Sequence, residues 1–249
     1  MTDLTGKTAF ITGASRGIGE AAAREMAKAG AAVVLAARST DAIERIATEI
    51  DETGGKAIAV PCDVADYAAV TAALDAATAA FGSLDILVNN AGTIEPIARL
   101  ADSDPAGWGE AVDVNVKGVY HGIRAALERM ESGVIVNISS GAATGVLEGW
   151  SHYCASKAAV LSLTRCAELE TPDAIRVVGL SPGTVATQMQ REIKASGINR
   201  VSTLDWGDHI PPEWVGRALV WLCGPDGSEF RGEDVALRDE AIRARIGLG

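Results

Sequence analysis

From Thr8 to Gly179 the chain alternates short β-branched apolar runs with longer Ala-rich stretches whose apolar residues recur at helical spacing. Runs at 8–11, 32–36, 57–60, 85–88, 134–138 and 175–179 predict six strands. Stretches at 17–29, 41–52, 67–81, 110–130 and 151–170 predict the helices between them. The runs are continuous rather than alternating, as expected of strands covered on both faces of a sheet. Strand and helix in this order mean βαβ units, a parallel sheet and right-handed crossovers. A helix at 213–223 and a strand at 234–237 complete the series. The fold class is therefore α/β, a single-domain, doubly wound parallel sheet of about seven strands with helices on both faces.

The rhythm breaks at 184–212, where Gly197, Asn199, Gly207, Asp208 and Pro211-Pro212 gather. This stretch reads as a mobile excursion, not as a domain of its own. The tail, 238–249, places Leu237, Ala241, Ile242 and Ile246 at helix-like intervals. It reads either as a short amphipathic helix docking on a neighbour or as a frayed, solvated end.

Composition narrows the function classes. A length of 249 residues, 48% of them hydrophobic and only 8 proline, excludes disorder for the bulk of the chain. Twenty-two Lys plus Arg against 33 Asp plus Glu leave a net charge of −11, which argues against nucleic acid or an anionic membrane as main partner. Cys62, Cys154, Cys166 and Cys223 form no CxxC pair and are expected to be buried thiols in a reducing compartment. His121, His152 and His209 show no metal-ligand spacing, so no metal is expected, and His152 is expected at the surface. Neither a signal peptide nor a membrane-length apolar run is apparent, which makes the cytoplasm the expected location.

Directly after the first run stands Thr12-Gly13-Ala14-Ser15-Arg16-Gly17-Ile18-Gly19. Glycines here allow a tight turn, close approach to a pyrophosphate and close packing of helix on sheet. The next helix start offers unpaired N–H groups to the phosphates. A strand before and a helix after are the context that a dinucleotide site requires. The second run ends in Leu35-Ala36-Ala37-Arg38-Ser39, without the acidic residue that usually bonds an adenosine ribose 2′-hydroxyl. Arg38 can fork onto a 2′-phosphate and Arg16 can approach from the other side. NADP(H) is therefore favoured, and NAD(H) stays open.

Tyr153 and Lys157 stand four apart near the start of a predicted helix and share one face. A free Tyr titrates near ~10. A neighbouring ammonium and an oxidised nicotinamide are expected to lower that value toward a useful acid/base. Ser140, at the mouth of the fifth strand, is placed to hold the reacting oxygen. It is preferred to Ser139 because adjacent strand residues face opposite ways.

Further segments stand in order along the chain: Asp63-Val64 after the third run, Asn89-Asn90-Ala91-Gly92 after the fourth, Asn115 in the long helix, Ser140 thirteen positions before Tyr153, and Pro182-Gly183 with Val185 and Thr187 after the sixth. Together with the glycine turn and the Tyr-Lys pair, this order resembles the short, single-domain branch of the short-chain dehydrogenase/reductase family over about residues 5–237. The resemblance implies a Rossmann-type fold and hydride transfer between a nicotinamide and a carbonyl or alcohol carbon. It implies catalytic roles for Asn115, Ser140, Tyr153 and Lys157, with Tyr153 as acid/base, Lys157 on the nicotinamide ribose, and Asn115 holding a water that links Lys157 to solvent. It implies cofactor contacts from Gly13, Ser15, Arg16, Gly17, Ile18, Gly19, Arg38, Asp63, Val64, Asn89, Ala91, Gly92, Tyr153, Lys157, Pro182, Gly183, Val185 and Thr187. Family members often close with Asp-Gly-Gly after the last strand, whereas Leu237 is followed here by Arg238-Asp239-Glu240.

The resemblance places the substrate against Ile94, Glu95, Val146, Glu148, Trp150, Thr184 and Gln188. Glu95 and Glu148 near the entrance would disfavour anionic substrates, so a small neutral ketone, polyol or sugar derivative is expected. One alternative is a 3-oxoacyl-[acyl-carrier-protein] reductase, for which Arg124 and Arg129 would supply the patch that an acidic carrier needs. Another is a dinucleotide-binding sensor without chemistry. The resemblance further implies a homo-oligomer, dimer or tetramer.

Overall fold

Seven apolar runs lie side by side in one parallel sheet, in the computed structural model that describes residues 2–249. The strands are β1 (Thr8–Thr12), β2 (Ala32–Ala37), β3 (Lys56–Pro61), β4 (Ile86–Asn89), β5 (Gly133–Ile138), β6 (Ile175–Ser181) and β7 (Asp234–Ala236). Their spatial order is β3-β2-β1-β4-β5-β6-β7. The chain starts in the middle, winds out to β3, then returns beside β1 and winds the other way. The loops leaving β1 and β4 therefore part to opposite faces and open a crevice at their carboxyl ends.

Alternate side chains of each strand supply two cores. Ile11, Leu35 and Val88 face α1 (Gly17–Lys28), α2 (Thr40–Glu52) and α8 (Pro212–Leu222), packing with Met26, Ile46 and Leu219. Phe10, Val34, Leu87 and Ile135 face α3 (Tyr67–Phe81), α5 (Gly118–Leu127) and α6 (Ser151–Glu170), packing with Leu74, Ile123 and Val160. Each fully buried Leu, Ile or Phe is worth about 2 kcal/mol relative to exposure, which explains why both strand faces are apolar.

Three segments differ from the sequence expectation. The long helix begins earlier, at α4 (Pro105–Val112), where the Asp104 side chain accepts from the Gly107 N–H and Pro105 opens the first turn. It then passes through a π turn, Asp113–Lys117, before α5. The 184–212 excursion contains a helix, α7 (Gln188–Ser196), which ends at Gly197 with φ +64°. Met189 and Ile193, four apart, turn its one apolar stripe toward Ile94 and Trp150. The tail forms α9 (Glu240–Ile246) and docks on its own chain, neither frayed nor reaching outward. Ile242, Ile246 and Leu248 join the α1/α8 core, and the Arg245 guanidinium lies 5.1 Å from the Trp221 ring. Of the cysteines, Cys62 and Cys154 are buried, Cys223 is half-buried, and Cys166 is exposed on the outer face of α6. Among the described residues no helix is long and apolar enough to cross a membrane.

Where β5 begins, Gly133 has φ +141°, and a β-carbon there would stand 1.9 Å from the Asp85 carbonyl oxygen. Gly133→Ala is expected to cost at least about 2 kcal/mol, because a backbone atom must move and the conformation is strained. Chemical denaturation of the two proteins checks this. An unchanged midpoint would show that the β4–β5 connection is looser than described.

Candidate active site

A cleft of about 1180 Å³ runs across the carboxyl ends of the strands. Its floor is the turn after β1. Here Asn90 donates its side-chain N–H to the carbonyls of Thr12 (2.9 Å) and Gly13 (3.1 Å), tying the β4 loop to the glycine turn. The Thr12 hydroxyl accepts the backbone N–H groups of Asn90 and Ala91 from the other side. The approach is close enough to dictate sequence: a β-carbon on Gly19 would lie 2.3 Å from the Gly13 oxygen and 2.6 Å from Asn90 Nδ2. One on Gly13, where φ is +64°, would meet Ala91 Cα at 2.8 Å. Arg16, the residue capping α1, gives no side-chain cap, so the first-turn N–H groups of α1 stay available to an anion. A bare glycine cradle before an uncapped helix start fits the pyrophosphate of a dinucleotide.

Arg16 and Arg38 line one end of this cleft, together with Ser39, Asp63 and Val64. Neither arginine pairs with a carboxylate among the described residues. The Asp63 carboxylate turns back onto the Ala65 N–H (3.0 Å), which fixes the loop after β3.

At the other end stand Ser140, Tyr153 and Lys157. Tyr153 and Lys157 are one turn apart on α6, and the Lys157 nitrogen lies 5.5 Å from the Tyr153 ring centre. Burial pushes the Tyr153 phenol up to about 12, with the nearby Ser140 hydroxyl pulling the other way. Burial also lowers the Lys157 ammonium to about 8, which the Asp234 carboxylate opposes. The sequence expectation is a Tyr153 lowered by a neighbouring ammonium and an oxidised nicotinamide together, whereas the fold's own burial acts upward. Desolvation is the largest influence on Tyr153, and the Lys157 ammonium donates instead to the Ile138 carbonyl at 2.7 Å. Behind this corner lies an apolar cluster: Ile94, Ala142, Trp150 and Ile193 pack around Tyr153, with Trp150 edge-on to its ring at 5.7 Å.

The cleft gathers most of the residues singled out from the sequence, including Ser15, Gly17, Ile18, Ala91, Gly92, Pro182, Gly183, Val185 and Thr187, and on the substrate side Glu95, Val146, Thr184 and Gln188. Four lie elsewhere. Gly19 sits behind the turn. Asn89 is buried inside the sheet and donates to Asn137 (2.8 Å), so its neighbour Asn90 is the asparagine that serves the glycine turn. Asn115 is buried in the π turn, where its amide accepts from the Thr93 N–H (2.8 Å) and donates to the Thr93 carbonyl (2.9 Å). Its side chain thus shapes the β4 loop. Glu148 faces away and pairs with Arg99 at 2.6 Å.

Three residues at the site were missed or misplaced by sequence reasoning. His152 is buried, with Nε2 2.7 Å from the Ile94 carbonyl, and so pins the loop after β4 at the cleft. Arg238 reaches the cleft from just after β7. Asp234 lies beneath Lys157 and accepts a hydrogen bond from Ser139 Oγ at 2.9 Å. For Asp234 the one signal in the sequence was a carboxylate opening an otherwise apolar strand.

Comparison with known proteins agrees with this geometry. Residues 7–197 match the family model described as short chain dehydrogenase. The chain is 38% identical over 242 residues to 3beta-hydroxysteroid dehydrogenase 1 of Eggerthella lenta, covering 92% of this chain and 91% of that protein. It is 41% identical over 200 residues to L-rhamnose 1-dehydrogenase (NAD(P)(+)) of Azotobacter vinelandii, covering 76% and 77%. The crystal structure of 3-ketoacyl-(acyl-carrier-protein) reductase from Brucella melitensis, complexed with NADH, superposes with a TM-score of 0.83 at 33% identity, covering 94% of this chain and 98% of that one.

A lysine lowered to about 8 in the fold titrates near its ordinary value of 10.5 when unfolded. Holding it charged therefore opposes folding below pH 8, and that cost fades as pH rises toward 10.5. Lys157→Met is expected to raise the melting temperature most at neutral pH, with the gain shrinking by pH 10. Calorimetry across that range checks the sign. A gain that grew with pH would contradict it.

Proposed function

Because the chain belongs to the short-chain dehydrogenase family, we propose that it is an NADP(H)-dependent oxidoreductase interconverting a secondary alcohol and a carbonyl. The observation that carries this reading is one cleft with an anion-binding glycine turn and two arginines at one end, and Ser140, Tyr153 and Lys157 against an apolar wall at the other. The dinucleotide, when bound, supplies the hydride donor or acceptor. Gly13 and the first turn of α1 hold its phosphates, Arg16 and Arg38 take the 2′-phosphate, and Pro182, Gly183, Val185 and Thr187 border the nicotinamide end.

The chain's own residues then manage the reacting oxygen and its proton. Ser140 orients the oxygen by hydrogen bonding. Tyr153, held neutral by burial at physiological pH, gives its proton to that oxygen as a carbonyl is reduced, and takes one as an alcohol is oxidised. Lys157 as ammonium stabilises the phenolate that is left. Asn115 acts by holding Thr93 and with it the loop that flanks the site.

The substrate is a neutral ketone or secondary alcohol with an apolar body, a narrower class than the polyols and sugar derivatives admitted by the sequence. Val146, Leu147, Met189 and Val201, which line the cleft and are not buried, offer contact area to carbon rather than to hydroxyls. The carrier-protein alternative has less support. Arg124 pairs with Glu128, and Arg129 with Asp75, so both guanidiniums proposed for a carrier are engaged within the chain. Self-association as a dimer or tetramer in the cytoplasm completes the reading. It is supported by the small exposed residues Ala155, Ala158 and Ser162 along the outer face of α6.

Two variants test the assignment. Tyr153→Phe is expected to lower kcat at least about 10²-fold while the affinity for NADPH stays the same. Steady-state rates together with a binding titration separate the two, and near-normal turnover would remove Tyr153 from the mechanism. Arg38→Asp is expected to shift the ratio of kcat/KM for NADPH over NADH by about 10- to 100-fold toward NADH, the worth of one charge-assisted hydrogen-bonded contact. An unchanged ratio would place the 2′-phosphate elsewhere.

A further inference from the structure

A carboxylate with one oxygen closed to solvent and unpaired needs a reason. β7, the edge strand, pairs with β6, and Val235 next door is buried. Asp234 nevertheless opens β7. Its Oδ2 accepts from Ser139 Oγ at 2.9 Å, while Oδ1 is closed to solvent and has no hydrogen-bond partner among the described residues. Burial raises its pKa, and the attractions that work against burial come from Ser139, Lys157 and Arg165. Packing does not explain a half-satisfied carboxylate at such a place. An apolar residue would suit the strand better.

The surrounding backbone makes room for it. Gly179 of β6 is in register with Asp234, and a β-carbon there would stand 2.8 Å from Asp234 Oδ1. On β5 the carbonyl of Ile138 accepts the Lys157 ammonium at 2.7 Å, and the next residue, Ser139, reaches Asp234. Lys157 and Asp234 are thus joined through two consecutive residues of one strand, below the face that Lys157 offers to Tyr153. Around Lys157 stand the phenol of Tyr153 on its own helix, the hydroxyl of Ser139 and the carbonyl of Ile138 on β5, and Asp234 on β7. Asp234 is the carboxylate whose charge acts on Lys157. Arg165, further along α6, bears on Asp234.

We infer that Asp234 is a positioning residue, a half-buried counter-charge held by Ser139 that keeps Lys157 an ammonium beneath Tyr153. The inference rests on Tyr153 and Lys157 being the working pair, and it adds the group that sets the charge of one of them. With Asp234 ionised, desolvation of Lys157 is partly offset and the ammonium persists to about pH 8. With the carboxylate removed, Lys157 loses its proton at lower pH. The alkaline limb of carbonyl reduction, where ammonium and neutral Tyr153 are both required, moves down with it.

The test titrates Lys157 itself in the protein without added cofactor. Protein labelled with ¹³C-lysine is followed by NMR, and the Lys157 Cε signal is assigned by its loss in Lys157→Met. The midpoint is expected near 8 in the parent, and lower by about one unit in the isosteric Asp234→Asn. Ser139→Ala, which removes the bond that holds the carboxylate in place, is expected to lower it by less. The alkaline limb of kcat/KM for reduction should shift by the same amounts. An unchanged or raised Lys157 midpoint in Asp234→Asn overturns the inference. Should Asp234→Asn not fold, an unchanged midpoint in Ser139→Ala overturns it instead. The NMR midpoint stands apart from catalysis: a shifted midpoint in a protein that reduces no carbonyl would sink the proposed function and leave the charge coupling standing.

Discussion

The contact on which the rest of the site depends is the one between the turn after β1 and the loop after β4. These strands are neighbours because the sheet winds outward from β1 in both directions, so their loops must diverge at that point. Asn90 closes the gap by donating to two carbonyls of the glycine turn, and Thr12 returns two bonds to the β4 loop. The fit leaves no space for a side chain at Gly19. Loosening it would displace the phosphate cradle and the Asn90–Glu95 wall together. The Asn115–Thr93 bonds and the His152–Ile94 bond then extend that wall to the substrate side.

Electrostatics divide the cleft. One end carries exposed arginines and bare helix N–H groups, which suits the phosphates of a dinucleotide in a chain that is otherwise strongly acidic. At the other end, burial pushes Tyr153 and Lys157 toward their neutral forms, up to about 12 and down to about 8. A phenol so placed keeps its proton at neutral pH. The desolvation of Lys157 is a stability cost below its folded pKa, and the Asp234 carboxylate partly offsets it.

Much of this was legible in the sequence because it rests on local pattern. Apolar runs alternating with helical stretches fixed the strand count, and the glycine turn was readable from its place between a strand and a helix. What escaped depends on parity or on distance along the chain. Choosing between Asn89 and Asn90 needed the end of β4. The alternation argument that separated Ser140 from Ser139 also puts Asn89 in the sheet and Asn90 in the cleft. Glu148 left the entrance for Arg99, forty-nine positions away, and Asp234 met Ser139 across ninety-five. α7 was hidden by its polar composition, since only Met189 and Ile193 mark its buried stripe. His152 looked like a surface residue because nothing local announces the Ile94 carbonyl that holds it.

The central claim is that the turn after β1 is a dinucleotide site feeding the Tyr153 corner. The most direct measurement is titration of the purified protein with NADPH and with NADH, following nicotinamide fluorescence. The account predicts saturable binding of one NADPH per chain, tighter than NADH and weakened by rising salt as a phosphate contact should be. Absence of saturable binding for both nucleotides would contradict it, leaving the cleft without the ligand for which its glycines make room.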